Sequence, residues 1–166
     1  MPHENSANYT KLSIAIHWIT GFLLVAMFVT HAGDNESILP RIHAIIGPVV
    51  GLILLARVFY RARKGLPRVK HEDDARSTWA TLVIYIFLLA IVLMVVSGYF
   101  LPWTQGAAVD LLGLQISAPF YIDPLKYDLI RLIHKISAYS LAPLLLLHIL
   151  LSNAPERMFE SDPNGH

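Results

Sequence analysis

Five histidines lie in or beside long apolar stretches of the chain: His17, His31, His43, His134 and His148. A titratable side chain inside an apolar helix is costly to bury, so each is a functional candidate by default. His134 and His148 are fourteen residues apart. On an α-helix that returns them to within about 40° of one stripe and sets them about 21 Å apart along the axis. One helix therefore offers two imidazoles at two depths. His3, His71 and His166 fall in polar tails or loops, where a solvated side chain is expected. The chain has no cysteine, which removes disulfides, iron–sulfur clusters, c-type haem attachment and thiolate zinc sites together.

The elements that carry these histidines are apolar and long. Of 166 residues, 55% are hydrophobic and 15% charged, and the mean hydropathy is +0.52. The chain is one domain, too apolar for an ordinary soluble bundle. A bilayer-spanning helix needs about 20 largely apolar residues. Four windows qualify: 12–30 (LSIAIHWITGFLLVAMFVT), 42–60 (IHAIIGPVVGLILLARVFY), 78–101 (TWATLVIYIFLLAIVLMVVSGYFL) and 129–151 (LIRLIHKISAYSLAPLLLLHILL). In lipid the backbone must satisfy its own hydrogen bonds, and unbroken apolar runs exclude the alternation of a barrel. The expectation is an all-α, integral membrane four-helix bundle, a single domain over 1–166, with helices about 10–31, 40–62, 75–101 and 125–152. A cleaved signal peptide is the rival reading of the first window. Its apolar core exceeds the usual ~7–15 residues.

Charge sets the orientation. Arg57, Arg61, Arg63, Lys64, Arg68, Lys70 and Arg76, seven of the thirteen Lys and Arg residues, surround the connection between the second and third windows. By the positive-inside rule this connection is cytoplasmic, as are both termini, and the chain is a multi-pass protein. The outer segment AGDNESILP has no basic residue. The longer outer connection, PWTQGAAVDLLGLQISAPFYIDP, reads either as an interfacial segment lying over the bundle, with Trp103, Phe120 and Tyr121 in the headgroup layer, or as a lid over an outer site. A net charge of +1 and the lack of a basic patch with interleaved aromatics set nucleic acid aside; membrane lipid is the expected surrounding.

With this orientation His17 lies near the inner surface and His43 near the outer one. His134 then shares the depth of His43, and His148 that of His17. Two imidazoles facing each other across a bundle, with no cysteine or carboxylate nearby, suit a bis-imidazole haem better than a divalent metal, which wants three or four protein ligands. Four residues beyond His17, His43 and His134 come Gly21, Gly47 and Ala138, small enough to admit a macrocycle, although small residues also let membrane helices pack closely. His31 competes with His43. It too follows His17 by fourteen residues, so the first helix could present both ligands. His31, however, sits in THAGDN, where a helix is ending, and His43 sits inside RIHAIIG. Arg41, Lys126, Arg131 and Lys135 flank the outer ligands as candidate contacts for an anion or a quinone, or for haem propionates; snorkelling to the interface is the plainer reading. Lys11, Arg57 and Arg61 could neutralise propionates at the inner end.

SIAIHW after Tyr9-x-x-x-Ser13, RIHAIIG, LVIYIFLLAIVLMVVSGY, the PW that opens the outer loop, and H-x13-H on the last helix together resemble the bacterial cytochrome b561 family over nearly the whole chain. The resemblance implies two haem b groups, one ligated by His17 and His148 and the other by His43 and His134, with none from the third helix, which has no histidine. It implies a place in the bacterial inner membrane and electron exchange with ubiquinone, with oxidation of superoxide at the outer face as the best-defined activity. The alternative within the family is a haem b relay or anchor subunit for a periplasmic redox partner such as a hydrogenase, a dehydrogenase or a c-type cytochrome. A haem-free transporter or metal-site protein with the same bundle is the reading from another class.

Overall fold

The computed structural model describes residues 11–30, 38–64 and 74–152. Within them lie four helices: α1 (Lys11–Thr30), α2 (Ile38–Lys64), α3 (Asp74–Thr104) and α4 (Tyr127–Ser152). The four apolar windows each became a helix, with ends within a few residues of those expected. Three helical stretches are long and apolar enough to span a membrane: Ile38–Arg63, Thr78–Thr104 and Pro124–Leu151. The apolar part of α1, Ile14–Thr30, is shorter. The 20 residues of α1 rise about 30 Å, the thickness of a hydrocarbon core. His31 lies outside the described residues.

The helices do not pack evenly. α3 and α4 lie against each other, α2 packs on α3, and α1 packs on α2, whereas the backbones of α1 and α2 approach α4 far less closely. The buried cluster is Leu24, Met27, Val50, Leu54, Ala90, Ile91, Val95 and Leu141, drawn from all four helices. Gly51 sets the approach of α2 to α3, because a Cβ there would stand 2.9 Å from Cγ1 of Val95. One turn earlier the hydroxyl of Tyr99 on α3 donates to the carbonyl of Pro48 on α2, at one of three prolines inside helices, with Pro102 and Pro143. Trp18 is 72% and Phe22 74% exposed on α1. In water such a face is an aggregation hazard, and in a bilayer it is the surface that meets lipid.

α3 runs three residues past its expected end and closes on Gly106. The amide of Gly106 donates to the Trp103 carbonyl and that of Ala107 to the Pro102 carbonyl, with Gly106 at φ +71°. These are the paired bonds of a Schellman end, which favours glycine in the left-handed region. The outer connection then forms a small antiparallel hairpin, β1 (Val109–Leu111) and β2 (Leu114–Ile116), in register Val109↔Ile116, Asp110↔Gln115 and Leu111↔Leu114. The all-helical expectation missed this element. Both turn residues have positive φ, Leu112 at 55° and Gly113 at 90°, as a two-residue hairpin of this twist requires. Asp110 steadies the turn, accepting from the Gly113 amide and from the Gln115 side-chain amide, each at 2.7 Å. Trp103 ties the hairpin to α3 by donating to the Ile116 carbonyl at 3.0 Å. Asp123 then caps the 3-10 turn Pro124–Lys126 that leads into α4.

Candidate haem-binding site

α2 and α4 bring His43 and His134 together, with ring centroids 6.3 Å apart and planes nearly perpendicular at 87°. Both imidazoles are held from behind. Nδ1 of His43 lies 3.1 Å from the Met27 carbonyl on α1 and 3.2 Å from the Thr30 hydroxyl, which itself donates to that carbonyl. Nδ1 of His134 lies 2.8 Å from the Met94 carbonyl on α3 and 3.3 Å from the Ser97 hydroxyl, which also donates to that carbonyl. A carbonyl only accepts, so each Nδ1 carries a proton, and in the neutral ring Nε2 then carries the lone pair. A histidine that binds a metal through Nε2 is oriented in this way.

The second pair stands at the other end of the bundle. His17 on α1 and His148 on α4 have ring centroids 6.3 Å apart, with planes at 62°. Phe87 of α3 stacks on His148 at 6.2 Å and 18°, and Trp18 meets His17 edge-on at 5.9 Å. The guanidinium of Arg57, from the far end of α2, donates to Nδ1 of His17. The fourteen-residue stripe of α4 thus supplies one member of each pair, at the depths expected.

The spacing can be tested against a shared metal ion. A metal–imidazole bond of about 2.0–2.1 Å, plus about 1.1 Å from ring nitrogen to ring centre, sets two imidazoles on opposite sides of one ion about 6.3 Å apart. Both pairs have that separation. Among the described residues no three His, Cys, Asp or Glu side chains gather to hold a metal, so each pair would offer an ion two ligands, and a macrocycle would supply the others. Room for one exists at the outer pair, where a cavity of about 990 Å³ is lined by His43, His134, Gly47, Gly98 and Ala138. A Cβ on Gly98 would stand 3.1 Å from Cε1 of His134. At Gly21, one turn from His17, a Cβ would meet nothing within 4 Å. The residues present fit haem b.

The hairpin reaches the same cavity through Val109, Asp110, Leu112 and Gly113, so the outer connection has the position of a lid. Arg41, Lys126 and Arg131 are exposed and Lys135 is half-buried; none of the four lines the cavity. Sequence reasoning missed the four Nδ1 acceptors on α1 and α3. Two are backbone carbonyls, which leave no mark in a sequence, and only the hydroxyls of Thr30 and Ser97, each three residues after a methionine, gave a signal. It also missed Gly98, whose place beside a ligand depends on how α3 is rotated against α4.

A sequence profile of the family described as prokaryotic cytochrome b561 matches residues 8–158. No curated protein matches the chain. With almost its whole length matched, the chain belongs to the prokaryotic cytochrome b561 family, membrane proteins that bind haem b and transfer electrons.

Proposed function

We propose that this chain carries electrons between the outer face of the bacterial inner membrane and the quinone pool through two haem b groups, one held by His43 and His134 and the other by His17 and His148. The observation that carries the reading is the pair of 6.3 Å imidazole separations on one helix stripe. Each haem, when bound, supplies a one-electron iron couple whose potential follows its ligands, charge and burial. The Met27 and Met94 carbonyls fix the outer imidazoles in the ligating tautomer. Apolar residues of all four helices form the buried cluster of the bundle. Arg57, Arg61 and Arg63 at the end of α2 mark the cytoplasmic side, which puts the hairpin and the outer cavity on the periplasmic side.

Superoxide oxidation coupled to ubiquinone reduction is the specific activity proposed. Arg41, Lys126, Arg131 and Lys135 would draw the anion through their summed field rather than by contact in the cavity. One observation favours a second reading, a relay subunit for a periplasmic redox protein: the hairpin and the segment after it expose Leu112, Leu114, Phe120, Tyr121 and Leu125 beside the outer cavity. A pulse of superoxide given to the purified protein with ubiquinone separates the two. Haem reduction supports the first, and none leaves the relay.

Haem content per chain tests the ligand assignment. Wild type carries two haems, His43→Ala one, and His31→Ala two. A haem lost with His31 and kept without His43 would move the outer ligand to α1. A reduced-minus-oxidised spectrum with no b-type bands would overturn the reading altogether.

A further inference from the structure

The two histidine pairs have unlike neighbours. Both outer Nδ1 groups face neutral backbone carbonyls, those of Met27 and Met94. The inner His17 faces the guanidinium of Arg57, and the half-buried Arg61 stands one helical turn further along the same helix. A guanidinium has five donors and no acceptor, so in this contact Nδ1 of His17 accepts. A neutral His17 that ligates iron through Nε2 instead bears its proton on Nδ1, and it cannot also accept from Arg57. The guanidinium must then turn to another acceptor. A haem brings two carboxylates, planar and anionic, which match the guanidinium fork better than any neutral group.

Resting on the two-haem reading above, we propose that Arg57 is a positioning residue that makes the inner haem the easier of the two to reduce, by holding its charge beside His17 and clamping the haem carboxylates. The physical basis is the unlike surroundings of the two irons. Donation of Nδ1–H to a carbonyl makes an imidazole a more basic ligand, which favours the oxidised iron. A fixed positive charge nearby favours the reduced one. In a medium of low dielectric such a charge acts strongly, because little water screens it. The outer pair has the first influence at both imidazoles, and Arg57 brings the second to the inner pair, so electrons entering from outside run inward.

Potentiometric titration of the haem-loaded protein, followed in the visible, tests this, with His43→Ala identifying the inner wave. Wild type shows two waves with the inner one higher. In Arg57→Met the inner wave falls so that the ratio of reduced to oxidised haem at a fixed potential drops at least tenfold, about 59 mV for one electron, while the outer wave stays in place. Arg57→Lys keeps most of the wild-type position because it keeps the charge. If Arg57→Met does not retain the inner haem, Arg57→Lys decides: an inner wave near the wild-type position supports the proposal, and a wave fallen to the outer one, or a haem lost again, overturns it. An unmoved inner wave in Arg57→Met, two waves that fall together, or a wild-type inner wave below the outer one each overturns it as well. A wild type without two waves instead overturns the two-haem reading on which the proposal stands.

Discussion

Gly98 gives the sharpest test of how the outer pair is built. The residue has no role of its own in ligation, yet a Cβ there would lie 3.1 Å from Cε1 and 3.4 Å from Nδ1 of His134. Carbon contacts settle near 3.5–4.0 Å, so Gly98→Ala should push the ring by roughly half an ångström. The ring is tethered through Nδ1 to the Met94 carbonyl at 2.8 Å. A displacement of that size takes the bond to or past the ~3.2 Å limit of a good N–H···O hydrogen bond. Loss of such a support typically costs a metal-ligating histidine about 10–100-fold in affinity, or about 1.4–2.7 kcal/mol. The helix itself should gain, since alanine is favoured over glycine in a helix interior by about 0.5–1 kcal/mol. Haem competition against an excess of apo-globin, read by absorbance, should show the outer haem of Gly98→Ala held 10–100-fold more weakly and the inner haem unchanged. Thermal melting of the haem-free protein should show no loss. An outer haem bound as tightly as in wild type would refute the reasoning, and so would equal loss of both haems.

Two further substitutions test the scaffold. Gly51→Ala places a Cβ 2.9 Å from Val95 Cγ1, and overpacking of this kind costs about 1–3 kcal/mol; melting should fall in the single variant and recover in Gly51→Ala with Val95→Ala. Leu112→Gly frees the hairpin turn of a side chain held at φ 55°, a conformation that costs a non-glycine residue about 1–2 kcal/mol; amide exchange in 109–116 should slow, with haem content unchanged.

The histidine pairing was legible because it depends on two constants of the α-helix, 100° and 1.5 Å per residue, applied to fourteen residues on α4 and to the alternating direction of the chain. Neither needs tertiary knowledge. The helices were legible for a similar reason: a membrane leaves the backbone few choices. The hairpin was not. Its strands alternate only over VDL and LQI, and its turn is Leu112–Gly113 where an Asn or Asp before the glycine would have announced it. The second layer of the site was hidden for another reason. Met27 and Met94 act through their carbonyls, and any residue type could have supplied those. Arg57 was visible as a charge near the inner end, but its contact with His17 depends on the rotation of α2 relative to α1, which periodicity does not fix.

The absence of histidine from α3 follows from the division of labour among the helices. α3 and α4 form the closely packed half of the bundle, and α4 supplies one imidazole to each pair. The separation of the two pairs is therefore set by one element, about 21 Å along a single helix. What α4 needs from α3 is support, and α3 gives it at both depths: the Met94 carbonyl, the Ser97 hydroxyl and the bare Cα of Gly98 behind His134, and the ring of Phe87 stacked on His148. α1 and α2, whose backbones approach α4 less closely than α3 does, meet it through the imidazole pairs, through ring contacts such as Phe28 on Tyr139 and through the apolar cluster that Leu141 joins. In the proposed arrangement each haem would cross-link α4, from the closely packed half of the bundle, to α1 or α2. Cofactor binding free energy becomes bundle stability by mass action, so the chain holds its electron-transfer geometry most firmly when both centres are filled.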